Sequence, residues 1–415
     1  DREAARAALT GWYLAGAGAA ASRIHPDRLR LPGAGDRLDR PSAAGVSPEW
    51  DQPAQAVAWL DAERGNLVLL ARHAADHGPA PAAWQLASTL RAYLAQGGHA
   101  AELRAIARAG LAAAETAGDL TGQAAARLSL GTGQLAQQRY PAAIEQFQQA
   151  AGLAGAAGWD EGAAVALTNL ATAYQGAGRR AEAAEQYAAA LALHERLGRP
   201  DRQAAVLCNL GNTRWELGEI DRAADHLTRA LELFRVHGSR AWQAIALNNL
   251  GIVRLEQARP DTALAHLTEA LAINQEIGNR VSEAGTIRAL ADVHRDAGRT
   301  GPALELAENA VQLARELQHR ALEAAALNTV AAVHRRDGRP DRALAPDREA
   351  LALVRRTAQP HLEAQIQLSL AATYRALDQP DLASSHAGQA LTIARTHDYR
   401  WLAQQAASAL SAPVS

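Results

Sequence analysis

The sequence predicts an all-α fold, a right-handed superhelix (α-solenoid) of 40-residue helical hairpins with an N-terminal helical segment and a C-terminal capping helix. Three observations predict it. Shifting the chain against itself by 40 residues aligns Leu90, Leu130, Leu170, Leu210, Leu250, Leu290, Val330, Leu370 and Leu410 without a gap, and self-similarity at a fixed period of this length marks stacked supersecondary units. Two further columns at the same spacing are pure alanine, Ala143 through Ala383 and Ala150 through Ala390. A small side chain in every copy marks the closest approach of two helices, where a larger one would force them apart. Finally, aromatic residues make up only 4% of the 415 residues while Ala and Leu dominate, a composition suited to close helix packing rather than a core built on large rings.

The elements follow in order. Residues 1–24 read as one amphipathic helix presenting Leu9, Trp12 and Tyr13, and a Pro/Gly-rich loop from about 26 to 55 completes an N-terminal segment, 1–55. Such a loop is unusually long for a packed domain. The stretch AVAWLDAERGNLVLLARHAADHG, 56–78, starts a degenerate helical region spanning 56–118. Seven 40-residue hairpins then fill 119–398. In one of them AVALTNLATAYQGAGR (164–179) carries apolar residues at helical spacing, Gly178 interrupts, and a second helix runs to Gly198. Gly218, Gly298 and Gly338 repeat the inner break, and Gly118, Gly158, Gly238 and Gly278 the outer one, where a left-handed residue ends a helix. Pro200, Pro260 and Pro340 fall in the same breaks, where a missing amide hydrogen is tolerated. Residues 399–415 place Leu410 in register but lack a second helix, as expected of a cap and tail that complete the array.

Composition excludes several function classes. A net charge of −2 argues against wrapping nucleic acid or coating an anionic membrane, so no direct nucleic-acid binding by this region is expected. All 42 basic residues are Arg, and without Lys no GxxxxGK[ST] phosphate loop exists. Cys208 is the single cysteine, a small core residue in this reading, consistent with a reducing cytoplasm. No run of eighteen apolar residues and no signal peptide is visible, so a cytoplasmic location is expected. Met is absent, and Asp1 is therefore expected not to be a native start. The 14 His include no HExxH and no supported i, i+4 pair, so no metal site is expected. His294 and His334 stand 40 apart and read as polar packing edges. Asp160 and Glu161 complement a helix dipole. No nucleophile has an identifiable base, so neither catalytic residues nor a cofactor is expected and the chain is not read as an enzyme.

Leu170, Ala171, Tyr174, Gly178, Ala183, Tyr187 and Ala190 match the Leu, small, aromatic, Gly, Ala, aromatic, Ala pattern of the tetratricopeptide repeats, and over roughly residues 80 to 398 the chain resembles that family. The usual unit is about 34 residues, so the longer form lengthens the helices by roughly 9 Å per copy, as in kinesin light chains and Leu-Gly-Asn repeat scaffolds. Arg214, Arg254, His294 and His334 replace the first aromatic in later copies and Asp347 the second, so these copies are expected to pack more loosely or expose a polar site. GWYLAGAGAA, the Pro-rich loop, WLDAERGNL and AWQLASTLRAYLAQGGH together resemble the C-terminal sensor half of the large Streptomyces antibiotic regulatory proteins and related NB-ARC (STAND-type) regulators. In that family a DNA-binding domain and an NTPase switch come first. The resemblance implies an interdomain junction at Trp59, Asp61, Glu63 and Arg64. By periodicity alone, Trp59 with Leu60 and Leu67 is a buried stripe, and the three charged residues form a solvated face.

Asn169, Asn209 and Asn249 each precede the aliphatic column on the first helix of a hairpin, which in this family lines the concave groove. An amide offers one acceptor and two donors, enough to hold an extended backbone without reading its side chains. The three can instead bond hairpin to hairpin. Asn248 and Asn328, with Arg288 between them, form a neighbouring column, and Arg295, Arg335 and Arg336 make the same helices basic against acidic Asp292 and Asp296, so a mixed charged groove is expected. The expected function is a protein-interaction or ligand-sensing module, the regulatory C-terminal region of an NTPase-coupled bacterial transcription regulator. Its partner is a protein or peptide in the groove, which includes its own N-terminal NTPase and DNA-binding domains. The leading alternative is a free-standing scaffold that binds a peptide or helix, and a third is a small-molecule receptor with a pocket between hairpins.

Overall fold

A computed structural model describes residues 2–25, 29–32, 50–237, 240–357, 359–397 and 399–411. Gly238, the tail beyond 411 and most of the Pro/Gly-rich loop lie outside the described residues. Among those residues there are nineteen helices and no strand. Helix α1 is Arg2–Ile24 and α2 is Pro53–His77. From there a helix begins at every twentieth residue: α3 Ala80–Gln96, α4 Ala100–Thr116, α5 Leu120–Ala136, α6 Tyr140–Ala156, α7 Asp160–Gly176, α8 Arg180–Arg196, α9 Pro200–Glu216 and α10 Ile220–His237. The series continues with α11 Arg240–Glu256, α12 Pro260–Glu276, α13 Arg280–Asp296, α14 Thr300–Glu316, α15 Arg320–Arg336, α16 Pro340–Val354, α17 Pro360–Ala376, α18 Pro380–Thr396 and α19 Arg400–Ser411. The 40-residue repeat is thus two near-equal halves.

The breaks explain the metronomic spacing. After α4 the Gly118 N–H donates to Glu115 O at 3.2 Å and the Asp119 N–H to Ala114 O at 3.0 Å, with Gly118 at φ +65°. This closure satisfies carbonyls that the helix end would leave unpaired. A left-handed residue recurs at each described position of this twenty-residue series, and Gln138, Ala258, Gln318 and Asp378 fill the place where glycine is missing.

Packing inside a hairpin rests on the small columns. Ala143, Ala183, Ala223, Ala263, Ala303, Ala343 and Ala383 are all buried, as is every member of the series Ala150 to Ala390. Where glycine follows the column leucine, at Gly131, Gly211 and Gly251, it has a specific partner sixteen positions on. A Cβ on Gly211 would lie 2.7 Å from Leu227 Cγ, and one on Gly251 2.6 Å from Leu267 Cγ, so glycine there lets the large side chain rest directly on the facing helix. Leu90 through Leu370 are buried, but Leu410 is 40% exposed: it keeps the register, and no described helix follows α19 to cover it.

Backbone contacts divide the chain into two compact units, one of residues 1–177 and 185–198, the other of 178–184 and 199–415. The first has a core of Leu60, Leu67, Leu86, Leu90, Leu94, Leu103 and Ile106. In the second, the two sequence ends meet. The guanidinium of Arg180 donates to Glu216 Oε2 at 2.7 Å and to His397 O at 2.8 Å, and lies 4.0 Å over the Tyr399 ring. Gly178 makes this approach tolerable, since a Cβ there would stand 3.0 Å from the His397 carbonyl oxygen.

Three of the polar replacements in the later copies are held by neighbouring side chains. Arg214 pairs with Glu219 at 2.9 Å and Arg254 donates to Gln257 at 2.8 Å. Asp347 is 0% exposed, accepting from Ser369 Oγ at 2.7 Å, Thr373 Oγ1 at 2.5 Å and Arg335 Nη1 at 3.1 Å. A buried carboxylate is tolerable when its lone pairs are filled in this way. This corrects the expectation of a loose or exposed site.

Candidate functional site

First helices dominate the wall of one cavity of about 720 Å3 in the second unit. Trp215 and Glu216 come from the end of α9, Asn248, Ile252 and Glu256 from α11, Arg288, Asp292 and Arg295 from α13, Asn328 from α15, and His361 from α17. A smaller space of about 210 Å3 shares Trp215, Glu216, Glu256 and His361 with it and adds Tyr399, Trp401 and Leu402 from the chain end.

The sequence-selected residues separate here. Asn248, Arg288 and Asn328, one residue per hairpin, line the cavity together with Arg295. Asn169 lies in the first unit, while Asn209 and Asn249 are half-buried in the second but are not part of the cavity wall. Asn249 Nδ2 reaches Cys208 Sγ at 3.8 Å on the preceding hairpin. The Cys208 thiol is buried, and desolvation pushes its pKa up to about 11. Arg335 turns instead into the hairpin interface against Asp347, and Arg336 is exposed.

Charge in the cavity is already partly matched. Asp292 accepts from Arg288 Nη1 at 2.9 Å and from Arg295 Nη1 at 2.5 Å, and Arg295 Nε also donates to Asp296 at 2.8 Å. Both guanidiniums are therefore occupied by carboxylates rather than free to hold an anion. Asn248 Oδ1 accepts from the Thr286 hydroxyl at 3.1 Å, which itself receives a bond from Asn274 Nδ2 at 3.2 Å. Among the described residues Asn328 Oδ1 has no hydrogen-bond partner.

Two wall residues were not picked from sequence. Glu256 makes no hydrogen bond or ion pair among the described residues, and its carboxyl is held above the usual range, by desolvation first and then by Asp296. His361 is pushed down to about 4, by burial first and then by Arg180, so it is neutral at physiological pH. Glu216, Glu256 and Asp296 stand 40 apart, so the same shift that reveals the asparagines reveals an acidic column.

At the N-terminal end of the chain, the four junction residues make contacts within the first unit. Glu63 Oε2 accepts from Tyr13 OH and from Asn66 Nδ2, both at 2.8 Å, which lowers its pKa, the Asn66 bond most. Asp61 accepts from Tyr93 OH, whose pKa rises to about 12 through burial and then this bond. Arg64 lies 3.3 Å from Glu102 and 3.0 Å from His99 Nε2. Trp59 packs edge-on to Trp12 at 6.1 Å and against Trp50 at 5.3 Å. The charged face thus fastens α2 to α1, α3 and α4 instead of facing only solvent. His294 and His334 are half-buried with pKa values lowered, burial first. Among the described residues no group of three His, Cys, Asp or Glu side chains could hold a metal ion. No helix among them is long and apolar enough to cross a membrane.

A search of curated protein sequences returns no match. Among solved structures, a Rap protein complexed with competence and sporulation factor superimposes with a TM-score of 0.59 at 14% identity, over 86% of this chain and 94% of that one. The apo form of the quorum sensor NprR from B. thuringiensis gives 0.57 at 14% identity, over 82% and 96%. A signal transduction ATPase with numerous domains and a tetratricopeptide repeat sensor, from Pyrococcus horikoshii, gives 0.54 at 14% identity, over 86% of this chain and 53% of that one. At such identities these likenesses establish the fold alone. The family profile described as tetratricopeptide repeat matches residues 162–235, 242–316 and 322–396, more than half of the sequence. The chain belongs to the tetratricopeptide repeat family.

Proposed function

We propose that the second unit senses a peptide in its cavity without catalysing a reaction, and that the chain is the regulatory region of an NTPase-coupled bacterial transcription regulator. One observation carries the ligand reading: successive first helices present amide, guanidinium, carboxylate and apolar groups around a single space of about 720 Å3, within the range of ligand sites. Two of the structural neighbours support it, a Rap protein complexed with competence and sporulation factor and the quorum sensor NprR. The regulatory context is supported by the ATPase whose sensor is a tetratricopeptide array and by the N-terminal motifs. In that context Trp59, Asp61, Glu63 and Arg64 lie beside the partner NTPase domain.

Screening a displayed peptide library against the wild type and an Asn248→Ala/Asn328→Ala variant tests the sensor reading. Enriched peptides lose affinity for the variant if the amide column holds them. Equal binding by both proteins sinks it. The codons upstream of Asp1 test the context separately: an in-frame phosphate loop supports a regulator, and a start codon beside Asp1 removes it.

A further inference from the structure

We infer that the end of the cavity bounded by Trp215, Glu256, His361 and Trp401 is a subsite for a cationic side chain, a guanidinium or ammonium carried by the bound peptide. This deepens the proposed peptide-sensing role and rests on it. The argument begins with charge. The cavity wall carries four carboxylates, Glu216, Glu256, Asp292 and Asp296. Asp292 and Asp296 are taken by Arg288 and Arg295, and Glu216 by Arg180. Among the described residues Glu256 alone of the four forms no ion pair, Arg295 acting on it only through space, and it lines both the main cavity and its smaller extension.

Beside Glu256 the walls are aromatic. Trp215 and Trp401 line the extension with His361 and Tyr399, and His361 sits 6.3 Å from the Trp215 ring and 4.8 Å from the Tyr399 ring, centroid to centroid. A cation over an aromatic face is held by the ring quadrupole, most strongly by Trp. His361 does not compete, being neutral for the reasons given above. The chain already uses this chemistry at the same extension, where Arg180 lies over Tyr399 and pairs with Glu216. Glu256, Trp215 and Trp401 line that space too, and this second carboxylate has no ion pair of its own among the described residues. An anion would meet an unmatched carboxylate, so the net field selects positive ligands.

The test uses the whole chain, with agmatine, Ac-Gly-Arg-Gly-NH2 and Ac-Gly-Glu-Gly-NH2 as probes in calorimetric titration and tryptophan fluorescence. The arginine peptide and agmatine are expected to bind and the glutamate peptide not to. Glu256→Gln and Trp215→Phe should each weaken binding, Glu256→Gln by roughly tenfold, with melting temperatures unchanged. A peptide side chain as the source predicts that Asn248→Ala/Asn328→Ala weakens the arginine peptide and spares agmatine. A free amine as the source predicts that the double variant spares both, which overturns the peptide assignment. No binding of either cationic probe at millimolar concentration, or Glu256→Gln without effect, overturns the subsite. If library peptides still require Asn248 and Asn328 in that case, the sensing role stands without it; if they do not, both fail.

Discussion

Arg335→Met isolates the Asp347 carboxylate in a fully buried position. Three donors fill that carboxylate now, and the substitution leaves Ser369 and Thr373. Removing one partner of a buried ion pair costs about 3 to 5 kcal/mol, and two surviving neutral hydrogen bonds should hold the loss to about 2 to 3 kcal/mol. The defect depends on pH in a defined direction. Burial already raises the Asp347 pKa above the ordinary carboxylate value, with Arg335 the leading opposing influence, so removing Arg335 raises it further. A carboxyl whose folded pKa exceeds its unfolded one stabilises the fold below the unfolded value, about 3.9 for Asp, and loses that contribution as pH rises through the folded pKa. The variant should therefore recover stability relative to wild type on acidification from pH 8 towards pH 5. Arg335→Met/Asp347→Leu, which places at 347 the residue found at the equivalent positions 227 and 267, should lie within about 1 kcal/mol of wild type, because a well-packed apolar replacement of a buried pair is often neutral. Urea unfolding at the two pH values, with amide exchange followed in α15 to α17, reads each quantity. A single variant equally damaged at both pH values, or a double variant worse than the single, would refute this account of the buried pair.

Gly211→Ala should destabilise by about 1 to 2 kcal/mol, overpacking against Leu227 outweighing the helix-propensity gain, whereas Gly285→Ala, which meets nothing within 4 Å, should stabilise by about 0.5 to 1 kcal/mol; thermal melts of the pair check both signs. Ala230→Leu, at a fully buried crossing, should cost on the order of 1 to 3 kcal/mol or more, with amide exchange rising first in α9 and α10. Asn209→Ala/Asn249→Ala should shift stability by less than about 1 kcal/mol, since the described side-chain bond lost is the 3.8 Å contact with Cys208; a large drop in melting temperature would mean that these amides join the hairpins. Deleting 399–411 uncovers the apolar group of Ala364 and Ala394 that Tyr399 and Leu402 cover, so light scattering should report association and the melting temperature should fall.

Self-comparison made the hairpins legible because every copy repeats the same packing problem: the column leucine, the small residue after it and the two alanines recur wherever two helices touch. The site was harder. Asn248 and Asn249 are about 100° apart around one helix, and which of them lines a cavity depends on the rotation between successive hairpins, which the spacing does not encode. The mixed charge of Arg288, Arg295, Asp292 and Asp296 was legible, but which carboxylate takes which guanidinium was not. Asp347 looked like a lost aromatic because its cation sits twelve residues earlier, on the preceding helix, and its other two donors on the following one. The Glu216, Glu256, Asp296 column was present in the same arithmetic as the asparagines, but its meaning depends on Trp401 and Tyr399 arriving from the chain end.

The Arg180 contact also restricts how this gene can vary. In an open repeat array each unit touches only its neighbours, so duplication or loss of one copy changes length and little else. In the second unit the first turn of α8 is fastened to the residues just before α19. One hairpin more or fewer would carry His397 and Tyr399 away from the guanidinium and leave Arg180 and Glu216 to meet alone. Copy number between these two points is therefore constrained by this contact, and gain or loss of a 40-residue segment, harmless in an open array, would here break it.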